Sequence, residues 1–219
     1  MKTIISAFLL IGFLSFNLLS QQVIELKNPS FEDKPHKGSY DSNPIKGWTN
    51  CGVIYYPIES PPDIHPVSPP AWGVTMKAWE GSTYISLVVR ATGSRESVSQ
   101  KLSTPLMAGK CYTVSVYLAL SKEYKSGTMF SMEVPQNFSN PVELFMWGGN
   151  TICQHDQLLC ATNAISHYDW RKYTFEFSPG KDYKYVTLEA FFKEGFTEQY
   201  NGHVLMDAFS AITEIECEE

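Results

Sequence analysis

Apolar and polar side chains alternate along much of this chain, the period expected of strands with one buried face. Residues 108–121 show it most clearly. Tyr112, Val114, Val116, Leu118 and Leu120 form one apolar row, and Cys111, Thr113, Ser115, Tyr117, Ala119 and Ser121 form the other. A helix does not suit this run, because the period of two persists throughout and β-branched residues crowd its centre. The same pattern predicts a strand from Tyr84 to Arg90, with Ile85, Leu87 and Val89 inward and Tyr84, Ser86, Val88 and Arg90 on the other side. It predicts another from Tyr185 to Phe192, with Val186, Leu188, Ala190 and Phe192 on one face, and one from Trp170 to Phe177 with Tyr173, Phe175 and Phe177 inward. Weaker runs lie at Val23–Leu26, Ser97–Leu102, Met129–Val134, Val142–Trp147 and His203–Ile215. Turn residues separate them, and helical periodicity is nearly absent. About nine or ten short strands in this arrangement predict an all-β sandwich.

Two stretches interrupt the alternation. Residues 50–73 hold Pro57, Pro61, Pro62, Pro66, Pro69 and Pro70, a density that argues against an interior strand or a helix and for a stiff loop. Trp72 and Trp79 flank its end. Residues 148–168 carry Gly148-Gly149-Asn150 and Leu158-Leu159 and read as a small turn or one helical turn.

The first 20 residues are expected to be a cleaved signal peptide: a basic start at Lys2, an apolar run from Ile4 to Leu19, and a small residue before Gln21. That run is shorter than the roughly 20 apolar residues of a spanning helix, so no membrane span is expected after cleavage. The expected location is secreted, periplasmic or cell-surface, with residues 21–219 as a single domain. With Lys2 removed, 16 basic side chains stand against 23 acidic ones, which speaks against nucleic acid as a partner. Of the five cysteines, Cys153 and Cys160 are close enough in sequence to close a short loop and are the expected disulfide. Cys51, Cys111 and Cys217 allow one further bridge. No spacing suits zinc.

Several segments, in order, resemble the galactose-binding-like jelly roll shared by many carbohydrate-binding modules of exported bacterial proteins. These are Asn28-Pro29-Ser30-Phe31-Glu32, Gly47-Trp48, Gly81-Ser82-Thr83-Tyr84-Ile85-Ser86-Leu87, the run through Gln100, Leu102, Leu106, Ala108, Gly109, Tyr112, Ser115 and Tyr117, and Leu205-Met206-Asp207-Ala208-Phe209-Ser210. The resemblance implies a jelly-roll β-sandwich and a structural calcium ion between the first and last strands. Glu32 and Asp207 would supply carboxylates, with carbonyls near Ser30 and Ser82 completing the oxygen shell. Ala208 departs from the pattern, since many members carry an acid or Asn there.

The resemblance further implies a non-catalytic module binding a polysaccharide or cell-surface glycan. Such sites pair aromatic faces with a few polar groups. The candidates are Tyr84, Arg90, Tyr117 and Glu189 on a sheet face and Trp72, Trp79 and Trp147 at the loop rim, while Trp48 and Trp170 are assigned to the core. An adhesive protein with a protein or cell-wall partner fits composition about as well. A polysaccharide-degrading enzyme is the third reading, in which Glu176 and Glu189 stand on neighbouring strands as a carboxylate pair. His155, His167 and His203 share no spacing and are expected to face solvent.

Overall fold

The computed structural model describes residues 21–38, 45–52, 60–128 and 131–218. The expected signal peptide at 1–20, the start of the Met129 strand, and parts of the polar and proline-rich loops lie outside the described residues. Described in chain order, the strands are β1 (Val23–Ile24), β2 (Thr49–Asn50), β3 (Asp63–His65), β4 (Tyr84–Val89), β5 (Ser97–Leu106), β6 (Cys111–Ala119) and β7 (Lys125–Thr128). They continue with β8 (Ser131–Asn137), β9 (Val142–Gly149), β10 (Gln157–Ala161), β11 (Arg171–Phe177), β12 (Tyr183–Phe192), β13 (Gly202–Asp207) and β14 (Ile212–Ile215). Among the described residues the one helical element is a 3-10 turn at Ala71–Gly73. The fold is an all-β jelly-roll sandwich.

The strongest alternating run, β6, is the centre of the first sheet. One edge pairs with β11 from Phe177↔Tyr112 to Arg171↔Leu118. The other edge is shared by β13, through Leu205↔Ala119, and β14, through Thr213↔Thr113. The expected single closing strand is therefore broken at residues 208–211, where Ala208 takes φ of 49° and the chain steps sideways. β4 and β3 extend this sheet beyond β13. The second sheet runs β10-β9-β12-β5-β2 and is antiparallel throughout. Between the sheets lies the core. The inward row of β6 is 0–2 % exposed from Tyr112 to Leu120, and Ile85, Leu87, Val89, Val186, Leu188 and Ala190 join it at 0–1 %. Period-two burial alone accounts for these placements.

Three expectations about local structure are corrected. The proline-rich segment does contain a strand, β3, which is only three residues long and sits at the sheet edge, where flanking prolines cost no ladder bonds. Residues 157–161 form a strand on β9, because its ladder partner outweighs the turn signals around it. Cys153 bonds Cys51, not Cys160. The reason is long-range: β2 and the β9–β10 loop both lie over β5, where Cys153 N–H donates to Ser99 Oγ at 3.2 Å. Cys160 is held in the β10 ladder opposite Met146, and its partly buried thiol is pushed up to about 12 by desolvation. The second bridge, Cys111–Cys217, follows from the pairing of Ile215 with Cys111.

These two bridges span 102 and 106 residues of sequence. Replacing Cys51 and Cys153 together by Ser is expected to cost about 2–4 kcal/mol, read as a lower urea midpoint. Peptide mapping under non-reducing conditions should return Cys160 as the free thiol; a Cys153–Cys160 peptide would contradict the pairing.

Candidate functional site

The outward face of the first sheet is not bare. Beyond β4 and β13 a second apolar layer forms from Tyr84, Val88, Leu205, Val74, Tyr124 and Phe138, with Trp72, Met76 and Trp170 packed against it. Its cover comes from the loop after β3 and from the β7–β8 hairpin. Tyr124 and Phe138 close the base of that hairpin, joined by Phe138 N–H to Tyr124 O at 2.9 Å. The strands of the hairpin pair with each other as a separate two-stranded sheet, and Gln136 Oε1 accepts a hydrogen bond from Asn201 Nδ2 at 3.0 Å.

Within this layer lies a narrow cleft of about 10 Å³, lined by Ser60, Asp63, Trp72, Val88, Arg90, Glu96, Tyr124, Ser126 and Phe138. Two polar groups organise it. Asp63 is an acceptor hub: Trp72 Nε1 donates to Oδ2 at 2.9 Å and Gly38 N–H to Oδ1 at 2.6 Å. The Tyr124 hydroxyl also donates to Oδ2, and Ser86 Oγ stands 3.1 Å from that hydroxyl. Trp72 reaches Asp63 from a backbone with φ of 56°, unusual for a bulky residue and a mark of a position fixed by its contacts. The second group is the buried pair Arg90–Glu96, 9 % and 3 % exposed.

Glu96 stands where the chain crosses from one sheet to the other. Its N–H donates to Val88 O in the first sheet, and its carbonyl accepts Ala190 N–H from the second. Arg95 and Glu96 accordingly point to opposite faces, Arg95 to Glu189 at 2.7 Å and Glu96 to Arg90. Burial pushes the Glu96 carboxyl up to about 7, and the nearby charge of Asp63 adds to this, against the opposing pull of Arg90. Burial therefore outweighs the Arg90 pairing, and the Glu96 carboxyl titrates near neutral pH.

Beside the cleft, His65 is fully buried with neither ring nitrogen hydrogen-bonded, and desolvation holds it below the usual histidine range. His203, expected to face solvent, is instead fully buried and stacked on Tyr124 at 4.6 Å. Its Nε2 accepts Ser121 N–H at 2.7 Å, and burial lowers it to about 4. His203 is therefore neutral when folded, so its contribution to stability is full above pH 6.5 and is lost as pH falls toward 4, about 3 kcal/mol in all. Glu96 works in the opposite sense: its contribution is full below pH 4.5 and lost as pH rises through 7. The two oppose each other between about pH 4.5 and 6.5. Glu96→Gln should expose the histidine term, so that its urea midpoint falls more steeply on acidification than that of the native chain; parallel profiles would refute the assignment.

The residues picked from sequence fall in three separate places. Trp72 and Arg90 line the cleft, and Tyr84 packs beside it with its hydroxyl on Met76 O at 2.8 Å. Trp79 and Tyr117 stack on each other at 4.2 Å beside Asp207. Glu189 and Trp147 lie on the far face of the second sheet, joined by Trp147 Nε1 to Glu189 Oε2 at 2.9 Å. Trp48 is core, as expected, whereas Trp170 belongs to the outer layer with its indole N–H on Lys77 O. Glu176 and Glu189 do not form a pair, because β11 and β12 belong to different sheets. Asp63, Glu96, Tyr124 and Phe138 were missed. The usable signal was Arg90 and Glu96 at the two ends of a Gly93 turn; nothing local marks Asp63.

Glu32 and Asp207 lie close enough for their charges to interact, in the knot between the first and last segments. Glu32 Oε1 accepts N–H groups from Ser82 and Thr83 at 2.8 and 3.2 Å. Asp207 Oδ2 accepts those of Trp79 and Glu80 at 2.8 and 3.0 Å, and Oδ1 that of Ala208 at 2.7 Å. Gly81, at φ of +60°, leaves no room for a side chain: a Cβ there would lie 2.1 Å from Glu32 Oε1. Burial, and then the charge of Glu32, push Asp207 up to about 6. Two carboxylates offer roughly eight lone-pair sites, more than these donors fill, and their mutual repulsion suits a cation. Among the described residues no three ligating side chains gather into a ready-made metal cage.

Residues 22–187 match the family model of the HpiC1-like proteins, described as HpiC1 cyclase. Similar solved structures include a cyclase from Fischerella sp. TAU, 18 % identical with a TM-score of 0.58, covering 91 % of this chain and 100 % of that one. A Stig cyclase from the same organism, in complex with (3Z)-3-(1-methyl-2-pyrrolidinylidene)-3H-indole, is 17 % identical over 91 % of this chain and 100 % of that one, with a TM-score of 0.57. A third, a cyclase from that organism in complex with 4-(1H-indol-3-yl)butan-2-one, is 17 % identical over 90 % of this chain and 100 % of its own, with a TM-score of 0.57. Among curated proteins none matches this chain. The family match overturns the expectation of a non-catalytic carbohydrate-binding module with a glycan partner; the motifs behind that expectation belong to the jelly-roll framework, which both kinds of protein share. The chain belongs to the HpiC1-like cyclase family.

Proposed function

We propose that this chain is an acid-catalysed cyclase acting on a small planar substrate of the indole class, with the Asp63–Glu96 cleft as its active site. The observation that carries this reading is Glu96, a buried carboxyl pushed up to about 7 at the wall of an aromatic cleft. A carboxylic acid of that kind can give up and regain a proton near neutral pH. The indole compounds held by the similar cyclases support the substrate class.

In this mechanism Glu96 donates its proton to an electron-rich carbon of the substrate, and the resulting carbocation lies against the faces of Trp72, Tyr124 and Phe138. A nucleophilic carbon of the same molecule then attacks the cation and closes the ring. Loss of a proton to the Glu96 carboxylate restores both the acid and the aromatic system, so the product is an isomer of the substrate. Arg90 holds the Glu96 carboxyl in place, and Asp63 orients Tyr124 and Trp72 through their hydrogen bonds. A cleft of about 10 Å³ has room for about one water, so binding a substrate requires the side chains that cover it to move. The test is incubation with 3-alkenylindoles and chromatography for isomeric products; no product from any member of the series would count against the reading.

The fit of the Glu32–Asp207 knot extends the proposal to a structural calcium ion, held by these two carboxylates and neighbouring carbonyls, far in role from the proton transfer. Chelation is expected to lower the melting temperature by several degrees, and calcium to restore it. An unchanged melting temperature would mean that backbone amides hold the knot alone. The two disulfides support an exported location.

A further inference from the structure

The outward face of the second sheet carries a feature that the cyclase reading leaves unused. β9 and β12 set Phe145 and Phe191 face to face, ring centroids 4.4 Å apart and planes 5° from parallel. The guanidinium of Arg95 lies 4.5 Å over Phe191, so this aromatic row already seats one cation. Toward β10 the row opens into a groove of about 490 Å³, whose lining includes Phe145, Leu158, Phe191 and Phe192. That volume is within the range of small-molecule sites. Two carboxylates, Glu143 and Glu194, stand in the same wall, and no Lys, Arg or His is among the lining residues. Glu143 is 9 % exposed and is fixed by Glu194 N–H, which donates to its Oε1 at 3.1 Å. Leu158 at the lip is 39 % exposed, an apolar side chain with no cover.

We propose that this groove is a second ligand site, separate from the Asp63–Glu96 cleft, and that it takes a small organic cation: a protonated amine on an apolar or aromatic body. Charge complementarity selects the occupant. An apolar body extends the Phe145–Phe191 stack, and an ammonium group pairs with Glu143 and Glu194, beside which none of the described lining residues is cationic. A carboxylate ligand would meet two like charges at close range, and a neutral one would leave both acids unpaired. The hydrophobic core separates this groove from the cleft, so the inference does not depend on the cyclase mechanism.

The test is an amide-resolved NMR titration of the full chain with phenethylammonium, 2-phenylethanol and 3-phenylpropanoate. Phenethylammonium should shift the amides of residues 143–145, 158–163 and 191–194. It should bind about tenfold more tightly than the neutral alcohol, with the anion weaker still. Glu143→Gln and Glu194→Gln should each weaken it several-fold, and raised salt should do the same. Glu176→Gln, which removes the same charge from the exposed face of β11, should leave the affinity unchanged. Equal affinity for the alcohol, equal effects of Glu143→Gln and Glu176→Gln, shifts confined to the Asp63–Glu96 cleft, or no binding would each overturn the proposal.

Discussion

Glu96→Gln is expected to remove about 10²–10⁴-fold of the cyclisation rate while leaving the fold and the binding of indole ligands intact. The amide matches the acid in shape, and its oxygen keeps one of the two N–H donors, Arg90 or the Val88 N–H at 3.1 Å, while its NH2 faces the other. What it lacks is a transferable proton. The native enzyme should lose activity as pH rises through about 7, the value to which burial pushes this carboxyl, because the acid form is consumed. The residual activity of the variant should lack that inflection. A general acid elsewhere in the cleft would preserve both rate and inflection in Glu96→Gln, and that result would sink the assignment. Kinetics separate it from a loss of binding: kcat should fall with KM little changed.

Arg90→Met is expected to destabilise the chain by about 3–5 kcal/mol, the cost of leaving buried acids without their cation. Methionine fills much of the arginine stem's volume, so the cost comes from charge and not from a cavity. Glu96 then loses the attraction of Arg90 that offsets its burial and the charge of Asp63. The double variant Arg90→Met with Glu96→Gln should recover most of the loss, because the remaining acid, Asp63, keeps its donors from Trp72, Gly38 and Tyr124. Urea denaturation of both singles and the double gives the coupling directly. Additive effects would show that the pair contributes nothing as a pair.

Much of the framework was legible along the chain because burial on a strand follows a period of two. The inward rows of β4, β6 and β12 were readable from alternation alone. The motif resemblance found the jelly roll but not the family's chemistry, since Asn28-Pro29-Ser30-Phe31-Glu32 and the Asp207 segment build the knot between chain ends and supply none of the residues that line the cleft. Residues of the cleft were only partly legible. Trp72 and Arg90 stood out as an aromatic at a loop end and a charge at a strand end. Asp63 did not, because among prolines an aspartate reads as a turn residue. Its significance comes from Tyr124, 61 residues away, and from Gly38, 25 residues away.

The disulfides show the same division. Local spacing favoured Cys153 with Cys160, yet the bond to Cys51 closes over 102 residues, because strand pairing in the second sheet brings those two loops over β5. The sequence by itself determined the sandwich and the inward rows, since both depend on alternation. Only the tertiary structure decided which cysteines bond, that Glu176 and Glu189 lie on different sheets, and that Asp63, Arg90 and Glu96 share one dry cleft. The physical reason is that proton affinity depends on burial and neighbouring charge, and both are set by segments that meet only when the sheets close.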